Sequence, residues 1–405
     1  MPASGERVGE PVIGAAVMTH PRRRAAATAL VARLGRWGAV VAEDPRSDGP
    51  PTTLRAARAA WAAVRPGATH HLVLQDDVEL CHGFTDRVLD AVRRHPESPL
   101  ALYSNWNSWN GAAVRAAALA GAGWVPAVAG EWVPTLGLVL PRRDVDELLA
   151  AVDGDTDDPE PDDVVLAREL AARGRQVLVS VPHLVEHTGR SSLIGNDAYG
   201  PRHATCFADD IGDAAVDVYA SGGVLPAPPP VLVHILRGRA HVVLSGAGTR
   251  PGRPVYLPRR AYAEETGLAR RAAAHWRAEQ ADPRPRPVPA APAEAAQVER
   301  LREELWHAAY LLAVHAARAG DPPPYRAVQT CLRSLVLGGT SDMGPLRLWA
   351  EQAAVHLIDL AGRGLAAGEL DRARYGPPPG LPAERLAALP PAERIWQATD
   401  EAVGV

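Results

Sequence analysis

A chain of 405 residues is too long for one small module and sets an expectation of two or three domains of roughly 100 to 200 residues each. Hydrophobic residues make up 47% and charged residues 22%, which excludes wholesale disorder, a collagen-like fibre and a coiled coil. The formal net charge of −4 excludes the basic footprint of a nucleic-acid binder, although all 43 basic residues are Arg.

From Val12 to about Pro182, short β-rich runs alternate with Ala/Arg/Leu-rich stretches of helical period, the pattern of an α/β domain with a largely parallel sheet. Strands are expected at 12–18 (VIGAAVM), 39–42 (AVVA), 71–74 (HLVL), 100–103 (LALY), 136–140 (LGLVL) and 176–181 (QVLVSV). Helices are expected at 22–35, 53–64, 83–94, 144–152 and 163–173, where apolar residues recur every three or four positions and Gly or Pro stands nearby as a stop. After Gly222 a proline cluster leads into two strands around the turn Arg237-Gly238. The stretch DPRPRPVPAAP is a semi-rigid linker, and beyond Glu294 the spacing is helical again to about Leu370. The expected domains are therefore 1–221, a hairpin and helix extension at 222–281, a linker at 282–293 and a helical domain at 294–405.

Cys81, Cys206 and Cys331 are too far apart for a zinc knuckle or a disulfide framework, which suits a reducing, cytoplasmic setting. Glu6 and Glu10 stand where a secretory signal has basic residues, and no run reaches the ~20 apolar residues of a membrane span.

The chemistry concentrates in HHLVLQDDVELCHGF, where an apolar strand ends in Asp76-Asp77. In an open α/β sheet, ligands bind beyond the carboxyl ends of strands. Two adjacent carboxylates there repel unless a cation lies between them, and oxygen ligands suit Mg²⁺ or Mn²⁺. The plain alternative is that Asp76 and Asp77 cap the following turn.

LVLQDDVEL resembles the aspartate motif of GT-A fold glycosyltransferases. VIGAAVMTHPRR is similar to that family's first strand and nucleotide loop, and AVVAEDPRSDGPPTTLRAARAAWAAV to its second strand and helix. GEWVPTLGLVLPRRDVDELLAA and VLVSVPHLVEHTGRSSLIGN resemble later segments of lipopolysaccharide-type (family 25-like) and family 2-like members. The resemblance covers about the first half of the chain and implies a Rossmann-like GT-A nucleotide-binding domain, with the small β element and the helical domain appended. It implies donor contacts from Thr19, His20, Arg22, Asp44, Asp76, Arg190, Ser191 and Ser192, and a Mn²⁺ or Mg²⁺ held by Asp77 and His187. It also implies a base, Asp162 or Asp163, to deprotonate the acceptor hydroxyl if the reaction inverts. Helix capping is the competing reading of those two acids. Gln75 departs from the family, which often has an acid there. SNWNSWNGAAVR occupies the place of an acceptor loop, and Asn105, Trp106 and Trp109 are its candidate acceptor contacts; Trp124 and Trp132 complete a cluster whose alternative place is the core.

A rival is H-x-x-E-H, spelled by His183, Glu186 and His187 with Glu264 as a candidate third ligand, the inverted zinc-protease motif. That motif needs a helix, and Pro182 and Gly189 bracket it too closely for two turns. A third reading is a non-catalytic, transferase-like scaffold. Asp153, Asp155, Asp157 and Asp158 lack the glycine of a calcium loop, and SGAGTRPG lacks the lysine of a P-loop. His70 and His71 read as structural. The expectation is thus a metal-dependent glycosyltransferase using a nucleotide-diphosphate sugar and a hydroxyl-bearing acceptor. Its helical domain serves intradomain packing first, and contact with a second copy or a protein partner second.

Overall fold

The structure is a computed structural model that describes residues 10–50, 52–152, 160–189, 200–245, 254–284, 295–316 and 322–389. The strands are β1 Ile13–Thr19, β2 Val40–Glu43, β3 His70–Gln75, β4 Val78–Leu80, β5 Leu100–Ala101, β6 Trp124–Pro126, β7 Gly137–Pro141, β8 Leu178–Ser180, β9 Val185–His187, β10 Val231–Leu236, β11 Arg239–Leu244 and β12 Val255–Pro258. The helices are α1 Arg24–Arg33, α2 Thr53–Ala62, α3 Phe84–Arg94, α4 Trp109–Ala120, α5 Arg142–Ala151, α6 Asp162–Ala172, α7 Ala208–Ile211 and α8 Asp213–Ala220. They continue as α9 Arg259–Glu265, α10 Ala269–Gln280, α11 Ala295–His315, α12 Tyr325–Gly338, α13 Pro345–Gln352, α14 Ala354–Tyr375 and α15 Ala383–Ala388.

The chain forms two compact units that interleave along the sequence. The first comprises Met1–Tyr103, Trp132–Leu178 and Leu184–Arg190; the second comprises Ser104–Glu131, Val179–His183 and Ser191–Val405. The expected boundary at 221 therefore cuts across the second unit, whose core joins Trp106, Ala116 and Leu119 to the hairpin's Val233 and Val242 and to Leu332 of α12.

In the first unit the sheet order is β2-β1-β3-β7-β5. The strands β1, β2 and β3 are parallel, but β7 runs antiparallel to both β3 and β5, so the expected largely parallel sheet is mixed. β1 and β7 are buried along their whole length, as strands covered on both faces are. α2, α5 and α6 follow their apolar spacing within a residue or two of expectation, and α2 is capped by Thr52, which accepts from the Leu54 amide at 3.2 Å. Gly137 opens β7 where a side chain would collide with Val185 of β9, 2.8 Å from an added Cβ.

In the second unit, β10, β11 and β12 make an antiparallel sheet, with β12 an addition to the two expected strands. Arg237 and Gly238 both have positive φ, 49° and 69°, the tight two-residue turn expected between β10 and β11. α11 and α14 supply much of the core through Leu305, Trp306, Leu357 and Leu365. Most of the expected linker lies outside the described residues. None of the described helices is long and apolar enough to cross a membrane.

Candidate active site at the ends of β1 and β3

β1 and β3 pair in parallel with Met18 beside Gln75, so Thr19 and the Asp76-Asp77 pair emerge together beyond their carboxyl ends. The short ribbon of β4 and β9 pairs Val78 with His187, which delivers the imidazole next to Asp77. Pro21–Arg23 forms a 3₁₀ turn after β1, begun by His20, whose Nδ1 accepts from the Arg22 amide at 3.2 Å. That turn leaves Arg22 exposed and directs Arg23 inward.

One guanidinium nitrogen of Arg23, Nη1, lies 3.2 Å from Asp76 Oδ1 and 3.0 Å from Asp77 Oδ2. The Thr19 hydroxyl donates a short hydrogen bond to Asp76 Oδ2. His187 Nε2 is 3.5 Å from Asp77 Oδ2, and its Nδ1 accepts from the Gly189 amide at 3.0 Å. Burial raises Asp76 above the ordinary carboxylate range despite the bonds from Thr19 and Arg23. Burial acts the same way on Asp77, but the bond from His187 and the charge of Arg23 outweigh it and hold Asp77 low.

The second pair of acids opens α6. Asp162 is wholly buried, its amide donates to Thr53 Oγ1 at 3.1 Å, and its carboxylate is bonded by the hydroxyls of Thr53 and Thr135. Burial raises it. Asp163 is raised to about 7, first by burial and then by the neighbouring charge of Asp162, and its Oδ1 is buried without a hydrogen-bond partner among the described residues. Thr135 also accepts from Gln75 Nε2 at 3.2 Å, so one hydroxyl ties the residue preceding Asp76 to Asp162. The amide at 75 thus holds the scaffold. Pro161, at the helix N-cap position, makes no side-chain capping bond.

A divalent ion fits this donor set in part. Asp77 Oδ1 is a buried carboxylate oxygen with no hydrogen-bond partner among the described residues, a donor that a cation would satisfy. Because Nδ1 of His187 accepts from Gly189, the neutral ring carries its proton on Nε2 and must lose it before ligating. Among the described residues no three His, Cys, Asp or Glu side chains form a metal cage. An ion here would take Asp77 first, with His187 and Asp76 beside it, and leave positions for phosphate oxygens, which is the habit of Mg²⁺.

Other expected residues lie elsewhere. Asp44 is held by Arg55 through bonds of 2.6 and 2.8 Å, within a buried ion pair that keeps Asp44 low against the opposing effect of burial. Arg190, Ser191 and Ser192 lie outside the described residues, as does the acidic loop at 153–158. The expected acceptor loop is largely a helix: Ser108 caps α4 by accepting from the Gly111 amide at 2.9 Å. The Glu131 carboxylate takes the Trp109 and Asn110 amides at 2.7 and 2.5 Å. Trp106 and Trp109 are 6% and 4% exposed, so their rings are core and do not offer a stacking face. Asn105 accepts from the Asn107 amide and pairs with Ala204 by a β-bridge. Trp124 is buried and Trp132 half-buried.

The H-x-x-E-H stretch is extended, with β9 covering Val185–His187, so it lacks the helix that aligns two imidazoles on one ion. His183 Nε2 is instead taken by the Ser104 hydroxyl at 2.9 Å and amide at 3.2 Å. Glu264 falls in α9 of the second unit.

Sequence reasoning missed Arg23, Thr53 and Thr135. Arg22, Arg23 and Arg24 are indistinguishable by type, and the turn begun by Pro21 is the signal that selects the middle one. Neither a protein-family model nor a curated protein matches the chain.

Proposed function

We propose that the chain is a glycosyltransferase of GT-A type, moving a sugar from a nucleoside-diphosphate donor to a hydroxyl acceptor with inversion. One observation carries this reading: Thr135 joins the strand end bearing Asp76-Asp77 to the acid pair Asp162-Asp163, one member of which is held near neutral pKa. A group in that state suits proton transfer at physiological pH. The donor diphosphate would lie against Thr19, Arg23 and the acid pair, beyond the carboxyl ends of β1 and β3. Asp163 accepts the acceptor's hydroxyl proton as that oxygen attacks the anomeric carbon and the bond from that carbon to the diphosphate breaks. Asp162 fixes Asp163 through the first turn of α6 and raises it by its charge. A divalent ion held by Asp77 would neutralise the departing diphosphate, the Lewis-acid assistance that such ions supply. Arg23 adds a further positive charge at the same place.

A thermal-shift panel of uridine, guanosine, cytidine, thymidine and adenosine diphosphates, each with Mn²⁺, Mg²⁺ or chelator, tests the reading. A ligand at one hundred times its Kd stabilises by about 2.7 kcal/mol. One diphosphate should stabilise the protein in a metal-dependent manner, and Asp77→Ala should abolish the shift. Indifference of the wild type to all five, with and without metal, would overturn it.

A further inference from the structure

Resting on that reading of the site, we infer that Arg23 is a placeholder cation: its guanidinium fills the space between Asp76 and Asp77 until a diphosphate draws it out, so the divalent ion enters only together with the donor. The single atom Nη1 contacts an oxygen of each carboxylate, at 3.2 and 3.0 Å. An ion bridging the same two oxygens needs ~2.0–2.2 Å contacts and the same volume, so nitrogen and ion exclude one another. An ion arriving alone must break both ion pairs while bringing no negative charge to the guanidinium. An ion arriving with a diphosphate brings two phosphates, for which the planar guanidinium is a matched bidentate partner.

The surrounding residues permit this exchange. Arg23 ends a short 3₁₀ turn, and its side chain is 14% exposed against 8% and 9% for the two aspartates, so of the three groups it lies nearest to solvent. Thr19 bonds Asp76 through Oδ2, the oxygen Arg23 does not use, and His187 lies 3.5 Å from Asp77 Oδ2, so each carboxylate keeps a second neighbour when the arginine leaves. Asp77 Oδ1, which Arg23 does not use, is the oxygen on which an incoming ion makes its first contact.

Mn²⁺ binding to the wild type and to Arg23→Gln, followed by electron paramagnetic resonance with and without the stabilising nucleoside diphosphate, tests the inference without any turnover. The wild type should bind Mn²⁺ weakly alone and some 5- to 150-fold more tightly with the diphosphate, the usual span of coupling between sites. Arg23→Gln should bind Mn²⁺ alone on the order of tenfold more tightly than wild type, with coupling reduced by a similar factor. Equal affinity of the two proteins for Mn²⁺ alone would overturn the inference while leaving the transferase reading intact. Failure of every diphosphate to bind would overturn both. Should Arg23→Gln fold poorly, the wild type still decides: the Arg23 guanidinium resonance, assigned with Arg23→Lys, should shift when Mg²⁺ and diphosphate are added together and stay fixed with Mg²⁺ alone. A shift with Mg²⁺ alone counts against the inference.

Discussion

Asp163 and Asp162 are adjacent acids with different environments, and the difference assigns their roles. Asp162 is bonded by Thr53 and Thr135 and is buried, whereas Asp163 keeps an oxygen without a partner among the described residues and is raised to about 7. Above that value Asp163 is ionised and able to accept a proton; below it the base is lost. Transfer should therefore rise with pH through an acidic limb near 7, read as kcat/KM against pH. Asp163→Asn should lower kcat by roughly 10² to 10⁴ with donor affinity retained. Thr135→Val, which removes the hydroxyl shared by Gln75 and Asp162, should shift that limb, because the charge that raises Asp163 is no longer fixed. A flat profile across pH 6 to 8 in the wild type would sink the assignment. At this scale the sequence makes the Asp76-Asp77 pair legible as a candidate, because a strand end and a carboxylate pair are local signals, whereas His187 enters only through the resemblance of its segment. Arg23 and Thr135 are not legible, since a 3₁₀ turn selects one and a contact over 60 positions makes the other.

Among the elements, the hairpin β10–β11 and the strands β1 and β3 follow from local pattern, whereas α4 and the direction of β7 do not. WNGAAVRAAALA offers no polar face because α4 is buried along almost its entire length, and a helix buried all round has no amphipathic period to detect. Its Asn and Trp residues imitate a binding loop, yet Asn110 Oδ1 accepts from the Val128 amide and Trp109 is core. Close packing explains the glycine: a Cβ at Gly111 would strike the Asn105 carbonyl oxygen and stand 2.7 Å from Thr205 Oγ1. Gly111→Ala gains about 1 kcal/mol of helix propensity. It should nonetheless destabilise the protein, by about 1–3 kcal/mol, because overpacking against backbone cannot relax. Urea denaturation with an unchanged m-value measures this, and a variant as stable as wild type would contradict the packing of α4. The direction of β7 has a different cause, since an apolar run reads alike in parallel and antiparallel neighbours.

Across the whole molecule, buried carboxylates and buried histidines respond oppositely to acid, and both kinds occur in both units. In the first, burial raises Asp76, Asp162 and Asp163, so proton uptake by these carboxylates relieves the fold, whereas burial lowers His70, His71 and His95 and acts the other way. In the second, burial lowers His183 and His234 to about 3 and His241, His307 and His315 to about 4. An unfolded histidine titrates near 6.5, so the stability these neutral rings contribute is fully present above pH 6.5. It drains away as the pH falls from 6.5 towards 4, because only the unfolded chain takes up the proton. At pH 5 each such ring costs about 2 kcal/mol, and two of them take a large part of the roughly 5–15 kcal/mol that stabilises a domain. His234 and His241 are direct partners across β10 and β11, so protonating both would also set two like charges side by side. The second unit should therefore melt at markedly lower temperature at pH 5 than at pH 8, followed by near-ultraviolet dichroism of its buried tryptophans Trp106, Trp276 and Trp306. His234→Leu should recover about 2 kcal/mol of that loss at pH 5 while changing little at pH 8. A melting temperature independent of pH across this interval would show that these rings find protons while folded, and the burial argument for the second unit would fall.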